Sequence, residues 1–443
     1  MLGNMKTHFS IVLSVWLIFS CSQNEYYPAK QWRTSTPEGQ GLKSDVLQAF
    51  SDELASRELG YIDDMLIIRN GYLVFSESYE NDYDSLYKAT NTAPGQYNYF
   101  DTDWHPYYQK GKLHTMQSVS KSITSLLIGI AIDNELISNE NELILPYFEK
   151  FDLSGMDDRW SKMTLKHVLT MTTGITWDES TIPYTDSNNS CAGMESSSDW
   201  IQFVLDQPMT AEPGQIYVYN SGATMLLAYI LEQTTGMEVE DYCYQNLFKP
   251  LNIEKYYWKR TPKGLADTEG GLYLLPEDLA KIAYLVLNDG VWKNDQIVSK
   301  AWIDISVQRH VNTYYPSIRS YRYGYKWWIL PYANEENFAI AGLGLGGQRP
   351  IIIPEYGRHI HKMIDHALSS NDIKDRNKVA KAIIGVMGNL NPHLRDVPDF
   401  QHKLWDQLFI MSDFNLDVDS PFPKPVKEVY SQRPEKLNYP QSF

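Results

Sequence analysis

Two patterns of apolar residues predict a β-hairpin and a long helix in the first third of the chain. Between Met65 and Phe75, two β-rich runs are joined at Asn70-Gly71, a strong short-range signal for a β-hairpin. After residue 118, apolar side chains recur at the i, i+3, i+4, i+7 spacing of a buried helix face. They are Ile123, Leu126, Leu127, Ile130 and Ala131. The pattern therefore predicts a hairpin followed by a buried helix.

Beyond that helix the pattern is mostly helical, and strand character returns near the end. Helices are expected at 165–171, 198–205, 223–233, 278–288 and 300–307, and strands at 325–330, 338–341, 351–353 and 383–387. A sheet built from both ends of a chain, with helices inserted between, predicts an α/β domain plus an all-α domain. We assign 46–121 and 237–443 to the α/β domain and 122–236 to the mainly helical domain, with a cleft at their boundary.

The first 45 residues have the pattern of a signal peptide followed by a tether. Lys6 precedes the apolar run from Phe9 to Phe19, which has the length of a signal h-region and is too short to span a bilayer. The run ends in Leu-Ile-Phe-Ser-Cys21, which resembles a bacterial lipobox. We expect a lipoprotein signal peptide over 1–20, lipidation at Cys21 and a tether over 21–45, with plain secretion or an uncleaved anchor as alternatives. The protein would then be extracytoplasmic, periplasmic or surface-facing, and would touch a bacterial membrane only through this anchor.

Composition narrows the partners. The 443 residues are 43% hydrophobic, enough for a sizeable core, and carry a formal net charge of −16. Strong negative charge argues against nucleic acid and favours a small-molecule substrate. Besides Cys21, only Cys191 and Cys243 remain; they could pair in an oxidising compartment, but two cysteines make no disulfide framework. No cofactor is expected, and the sequence leaves the oligomeric state open.

The motif Ser118-Val-Ser-Lys121 carries the candidate chemistry. It places a hydroxyl and an amine one turn apart on one face at the start of the predicted helix, where free backbone N–H groups favour an oxyanion. A desolvated lysine near the positive pole of a helix loses charge more easily, so Lys121 is expected to act as a base near neutral pH. The alternative is a serine that merely caps the helix beside a solvated lysine.

Two later segments support the nucleophile hypothesis. Tyr219-Asn-Ser221 follows a turn just before a predicted helix, and a tyrosine beside a lysine ammonium can shuttle a proton to a leaving group. Packing against the core is the alternative for this tyrosine. The second segment, 341–348, is too glycine-rich for an ordinary strand, so its exposed backbone could donate the second oxyanion N–H. A phosphate-binding loop is excluded there, because no lysine follows at the required offset and no helix opens after Gln348.

These motifs together resemble those of the serine β-lactamase-related superfamily, and most closely its 6-aminohexanoate-dimer hydrolase and esterase branch. Ser-x-x-Lys, Tyr-Asn-Ser-Gly about a hundred residues later and a Gly-x-Gly-Gly-Gln strand carry the resemblance. It implies a β-lactamase/transpeptidase-like fold, an antiparallel sheet flanked by helices with a helical insertion. It also implies site residues: Ser118 as nucleophile, Lys121 as base, Tyr219 as proton shuttle, the N–H groups of Ser118 and of Leu345 or Gly344 as oxyanion hole, and Gly346, Ser221 and Tyr184 as further substrate-binding residues.

The departures from the superfamily pattern bear on the substrate. Ser221 stands where β-lactamases have asparagine, and the glycine-rich segment lacks their Lys-Thr-Gly, so two groups that bind a β-lactam are missing. We therefore expect a serine hydrolase that forms an acyl-enzyme on a small ester or amide. The alternatives are a β-lactamase or D-Ala-D-Ala peptidase-like enzyme, and a non-catalytic recognition module.

A metal site is not expected. His359, His361, Asp365 and His366 nearly form a metallo-hydrolase box, but the Asp-His pair lies two residues too late and no second ligand cluster follows.

Overall fold

The computed structural model describes most of the chain between residues 27 and 353, and one later strand. The described ranges are 27–28, 30–40, 42–57, 62–81, 113–182, 184, 186–313, 321–332, 334–345, 348–353 and 382–388. The predicted signal peptide, the lipidation site Cys21 and the histidine-rich segment lie outside these residues, so those predictions stay predictions.

Nine α-helices occur in the described residues. They are α1 (Ser44–Ala55), α2 (Val119–Asp133), α3 (Leu165–Leu169), α4 (Ser190–Ser196), α5 (Trp200–Leu205), α6 (Ser221–Thr235), α7 (Val239–Cys243), α8 (Pro276–Leu287) and α9 (Lys300–Ser306). Short 3-10 turns span Glu38–Gln40, Leu145–Phe148 and Asp158–Lys162, and a π turn, Tyr244–Phe248, extends α7. No helix in the described part of the chain is long and apolar enough to cross a bilayer.

The described strands form one large sheet, a small three-stranded sheet and a short hairpin. They are β1 (Ile62–Arg69), β2 (Tyr72–Ser78), β3 (His114–Thr115), β4 (Tyr256–Trp258), β5 (Leu272–Leu274), β6 (Val291–Trp292), β7 (Asp295–Gln296), β8 (Val311–Asn312), β9 (Arg322–Tyr323), β10 (Trp328–Tyr332), β11 (Asn334–Ala341), β12 (Arg349–Ile353) and β13 (Ala382–Gly388).

The large sheet joins the two ends of the chain. Its order is β2-β1-β13-β12-β11-β10-β9-β8, and every neighbouring pair is antiparallel. β1 and β2 are joined at Asn70 and Gly71, both with positive φ (52° and 73°), as a two-residue turn of the predicted kind requires. The predicted sheet, with strands from both sides of a helical insertion, is confirmed.

Strand β1 is buried on both faces of the sheet. In β1, Met65 and Ile67 pack in one apolar cluster with the inner side of α1, and Leu66 and Ile68 pack in the other with α2. Successive side chains of a strand point to opposite faces, so a strand covered twice must be apolar throughout. This burial explains the continuous hydrophobic run read from the sequence.

Helix α2 is buried all round, not only on the predicted face. Every side chain from Val119 to Ala131 is buried, including three serines and a threonine as well as Lys121. Gly129 permits this packing, because a Cβ there would lie 2.1 Å from the Trp302 ring of α9. A helix covered on all sides holds its first turn, and therefore Ser118 and Lys121, in a fixed position.

Two expectations are corrected by the packing. Residues 21–45 are not a tether throughout, because Trp32 is buried in the main core against Tyr284 and donates a hydrogen bond from Nε1 to the Glu277 carbonyl. The strand expected at 325–330 begins only at Trp328, because residues 324–327 form a turn in which Gly324 N–H donates to the Trp327 carbonyl and Lys326 has φ +63°.

Candidate active site

A strained turn delivers the candidate nucleophile. β3 leads into Gln117, which has φ +46°, a left-handed conformation that is costly for a residue with a Cβ. Ser118 follows in the N-cap position of α2, and its side chain makes no capping hydrogen bond to the described first turn. The capping alternative is therefore wrong, and the hydroxyl is left for other partners.

The Ser118 hydroxyl instead meets Lys121. The Nζ atom of Lys121 lies 3.0 Å from the Oγ atom of Ser118, within hydrogen-bond distance. Lys121 is completely buried, so its amine is not the solvated group of the alternative interpretation. The i, i+3 spacing read from the sequence thus corresponds to a direct contact.

Glu269 is the main hydrogen-bond partner of Lys121. Nζ donates to the Glu269 backbone carbonyl at 2.6 Å and to its carboxylate Oε2 at 3.0 Å. Burial by itself lowers the pKa of Lys121, but the charges of Glu269 and then Glu179 raise it, and the net pKa lies above the usual value. The two carboxylates therefore oppose the effect of burial, which is the effect on which the expectation of an easily deprotonated lysine depends.

A tight loop before β5 places Glu269 beside helix α2. The Asp267 carboxylate accepts hydrogen bonds from the N–H groups of Glu269 (3.2 Å) and Gly270 (3.0 Å). Burial, and then the Glu269 charge, raise the pKa of Asp267 to about 7. The Leu272 N–H donates to Ser120 Oγ at 3.3 Å, which fastens the loop to α2. The loop therefore places a carboxylate beside Lys121 from 148 residues away in the sequence.

Tyr219 lies next to Lys121. The Lys121 Nζ atom is 5.3 Å from the centroid of the Tyr219 ring, and the ring stacks on Trp328 at 5.8 Å. The ring is partly exposed, unlike the lysine. The structure thus brings Ser118, Lys121 and Tyr219 together, as the resemblance implies.

Ser221 and Tyr184 both donate hydrogen bonds to the buried carboxylate of Glu179. Glu179 accepts hydrogen bonds from Ser221 N (2.9 Å), Ser221 Oγ (2.8 Å), Tyr184 OH (3.3 Å) and Trp177 Nε1 (2.6 Å). Because Ser221 is buried and both its donors are used, its expected role as a substrate contact is corrected: it anchors the start of α6. This anchor fixes the turn that carries Tyr219.

The glycine-rich segment runs directly beside the nucleophile turn. A Cβ on Gly344 would lie 2.6 Å from the Met116 carbonyl oxygen and 3.3 Å from Gln117 Cβ. The Gly344 N–H donates to the Gln348 carbonyl at 2.9 Å, whereas no described residue accepts from the N–H of Ser118 or Leu345. Of the two expected donors for the second oxyanion position, Leu345 is therefore favoured. Gly346 lies outside the described residues.

A second lysine is buried close to the first. Lys326, in the turn before β10, points its Nζ at the Met171 Sδ atom, 3.1 Å away. Burial, and then the Lys121 charge, hold the pKa of Lys326 well below its usual value. Ser122, the residue after Lys121, donates to the Lys326 carbonyl at 2.6 Å.

One group of possible metal ligands occurs in the described residues. The donor atoms of Cys191, Glu195 and Glu269 lie within 4.8 Å of one another. Glu269 already binds the Lys121 ammonium and is hydrogen-bonded to Glu195, so we assign no metal to this group. Cys191 and Cys243, the cysteines that the structure describes, are both free and buried.

Several known proteins are similar to this chain in sequence or in fold. A penicillin-binding protein of Bacillus subtilis is 24% identical over 44% of this chain and 43% of its own length. The 6-aminohexanoate-dimer hydrolase of Paenarthrobacter ureafaciens is 22% identical over 62% of this chain and 76% of its own length. A Bacillus anthracis structure assigned as a 6-aminohexanoate-dimer hydrolase superposes with a TM-score of 0.57 at 20% identity, covering 82% of both chains.

The chain has the β-lactamase/transpeptidase fold. The resemblance to penicillin-binding-protein-like and β-lactamase-fold serine hydrolases is confirmed, and the homologues are hydrolases of this group. The match to the Bacillus subtilis relative covers less than half of that protein, so its activity is not transferred. Residues 346–443 separately match a family model described as a domain of unknown function, DUF4290, a range that includes β12 and β13.

Three polar residues of the site were missed from the sequence. Glu269 directly precedes Gly270-Gly271, Glu179 lies two residues after Trp177, and Lys326 lies within the aromatic run from Tyr323 to Trp328. The only available signal was a charged residue inside an otherwise apolar or glycine-rich motif. Such residues are rarely buried without an ion-pair or hydrogen-bond partner, so a partner is expected for each of them.

Proposed function

We propose that this protein is a serine hydrolase that forms an acyl-enzyme on Ser118. One observation carries the proposal: the hydroxyl of Ser118, which caps nothing in the described first turn, lies 3.0 Å from a buried lysine amine. A structural serine at a helix start normally bonds to the backbone of the first turn. A hydroxyl turned towards a buried cation is instead arranged for nucleophilic attack.

The site residues divide the reaction among them. Ser118 Oγ attacks the carbonyl carbon of the substrate, and the resulting oxyanion receives hydrogen bonds from the Ser118 and Leu345 N–H groups. The carbonyl re-forms as the alcohol or amine leaves, taking a proton delivered through Tyr219. Water then attacks the ester on Ser118 and releases the acid. Lys121 supplies positive charge beside both Ser118 and Tyr219 throughout.

Small esters and amides are the proposed substrates. The similarity to a 6-aminohexanoate-dimer hydrolase favours an amide-cleaving or ester-cleaving site. β-Lactam hydrolysis is less favoured, because Ser221 is turned inward to Glu179 and no Lys-Thr-Gly lies in the glycine-rich segment. The net charge of −16 argues against nucleic acid as a substrate.

Covalent labelling tests the proposal. The purified protein is treated with a fluorophosphonate and weighed intact, beside Ser118→Ala and Ser122→Ala. We expect one label per chain in the wild type and in Ser122→Ala, and none in Ser118→Ala. Ser122 is a matched control, because it is buried in the same helix and its hydroxyl bonds to the Lys326 carbonyl. A folded wild type that takes no label would contradict the proposal and leave the recognition-module alternative.

A further inference from the structure

Lys121 makes more hydrogen bonds to Glu269 than to Ser118. Of the hydrogen bonds from Nζ to described residues, two go to Glu269 and one goes to Ser118. Glu269 therefore takes both a backbone and a side-chain contact from the same ammonium. The side chains are 1% and 9% exposed, so solvent screens this ion pair very little.

Further titratable groups surround this pair, and most of them are acidic. Glu179 and Tyr184 face it from the loop before α4, and Tyr219 from the turn before α6. The others are Asp267 in the Glu269 loop, Cys191 and Glu195 of α4, Lys259 after β4, and Lys326. The Glu195 carboxyl is hydrogen-bonded to that of Glu269. Each carboxylate charge near Lys121 favours its protonated form.

We propose that Glu269 is a positioning residue that keeps Lys121 as an ammonium during acylation, so that Lys121 acts as a fixed cation and not as the base. The inference rests on the function proposed above. It assigns to Glu269 a role that acts through Lys121, since the structure shows no contact between Glu269 and Ser118.

The proton balance of acylation follows from this assignment. Lys121 keeps its three protons and donates one hydrogen bond to Ser118 Oγ. In this step Tyr219 enters as the phenolate, whose negative charge the neighbouring ammonium stabilises. As the bond from Oγ to the carbonyl carbon forms, the Oγ–H bond breaks and its proton neutralises the Tyr219 oxygen. When the tetrahedral intermediate collapses, Tyr219 returns that proton to the leaving oxygen or nitrogen.

Glu269→Gln tests the proposal, because it removes the charge and preserves the shape. With the carboxylate gone, burial dominates and the pKa of Lys121 falls, so the ammonium is lost at lower pH. We expect the alkaline limb of the pH profile for fluorophosphonate labelling and for p-nitrophenyl ester acylation to move down by about one unit or more. The conservative variant Glu269→Asp should move the limb back towards that of the wild type.

A second buried ion pair provides the matched control. Asp278 and Lys281 of α8 lie 2.7 Å apart with side chains 9% and 3% exposed, and Lys281 also donates to the Asn252 carbonyl. Asp278→Asn removes a carboxylate from an equally buried lysine outside the site. It should destabilise the fold without moving the alkaline limb.

The outcomes separate the inference from the proposed function. An unchanged limb, a uniform loss at every pH, or faster acylation of Glu269→Gln at neutral pH would each overturn the inference, while Ser118-dependent labelling would still support the hydrolase. Absence of labelling in the wild type would overturn both. If Glu269→Gln does not fold, Glu269→Asp carries the test: its longer gap to Nζ should move the limb part of the way down, and an unmoved limb overturns the inference.

Discussion

Two fully buried lysines, packed on neighbouring elements, have pKa values shifted in opposite directions. Lys121 bonds to the Glu269 carboxylate and its pKa is raised, whereas Lys326 faces the sulfur of Met171 and its pKa is strongly lowered. Burial acts on both in the same direction. The difference shows that the neighbouring carboxylate, and not the depth of burial, decides the direction in which the pKa of each amine is shifted.

The comparison also assigns different roles to the two residues. A charged lysine beside a serine and a tyrosine can stabilise the negative charge that develops during acyl transfer. The described hydrogen bonds of Lys326 join its Nζ to Met171 Sδ and its carbonyl to Ser122, so we assign it a structural role in the turn before β10. It lies close enough for the Lys121 charge to affect its pKa.

Removing the Lys121 cation should have the largest effect. Lys121→Met leaves Glu269 and Glu179 buried without their cation, so we expect a loss of about 3 to 5 kcal/mol in the free energy of unfolding. Acylation of Ser118 should slow by about 10²- to 10³-fold, because an electrostatic contribution to the transition state is lost. Urea unfolding followed by circular dichroism measures the first, and single-turnover ester acylation measures the second.

A double variant serves as the control for this prediction. Adding Glu269→Gln to Lys121→Met removes one uncompensated charge, so part of the lost stability should return while acylation stays slow. Restored acylation in the double variant would contradict the role given to Lys121, and unchanged stability would contradict the ion pair.

Lys326→Met should have a smaller effect of the opposite sign. The amine has only a thioether as a described hydrogen-bond partner, and an unsatisfied buried polar group costs about 1 to 3 kcal/mol. The variant should therefore be more stable than the wild type at pH 7 by about that amount, and Ser118 should still be labelled.

The pH dependence of this gain follows from the lowered pKa of Lys326. The folded state binds fewer protons at this position than the unfolded state, so wild-type stability rises as the pH rises towards the unfolded lysine value of about 10.4. The advantage of Lys326→Met should narrow over that range, as measured by thermal unfolding at several pH values. A constant or growing advantage would mean that Lys326 is charged in the fold.

Local pattern predicted the parts of the molecule that depend on neighbours in sequence. Asn70-Gly71 fixed the hairpin, and the i, i+3 spacing of Ser118 and Lys121 placed both on the first turn of α2. The Glu269 contact could not be found in this way, since it joins residues 148 positions apart through a loop held by Asp267. The apolar and aromatic residues around Lys326 predict a strand, and nothing in that pattern indicates the positive φ that makes the segment a turn.

The charge state of Lys121 shows a limit of a different kind. Burial of Lys121 is one of the two possibilities that the sequence leaves open, and the pKa depends on the sum of burial and nearby charges. Only the fold shows that Glu269 and Glu179 converge on the amine. The direction of the Lys121 pKa shift therefore could not be predicted from the local motif.

The most direct test of the acyl-transfer centre is to find the acyl group. The protein is mixed with a p-nitrophenyl ester, quenched during the burst, and digested so that the acylated residue can be located by fragmentation mass spectrometry. The account predicts a burst of about one p-nitrophenol per chain, as an acyl-enzyme mechanism requires, and an adduct on Ser118. Turnover without a burst, or an adduct on Ser120 in its place, would contradict it.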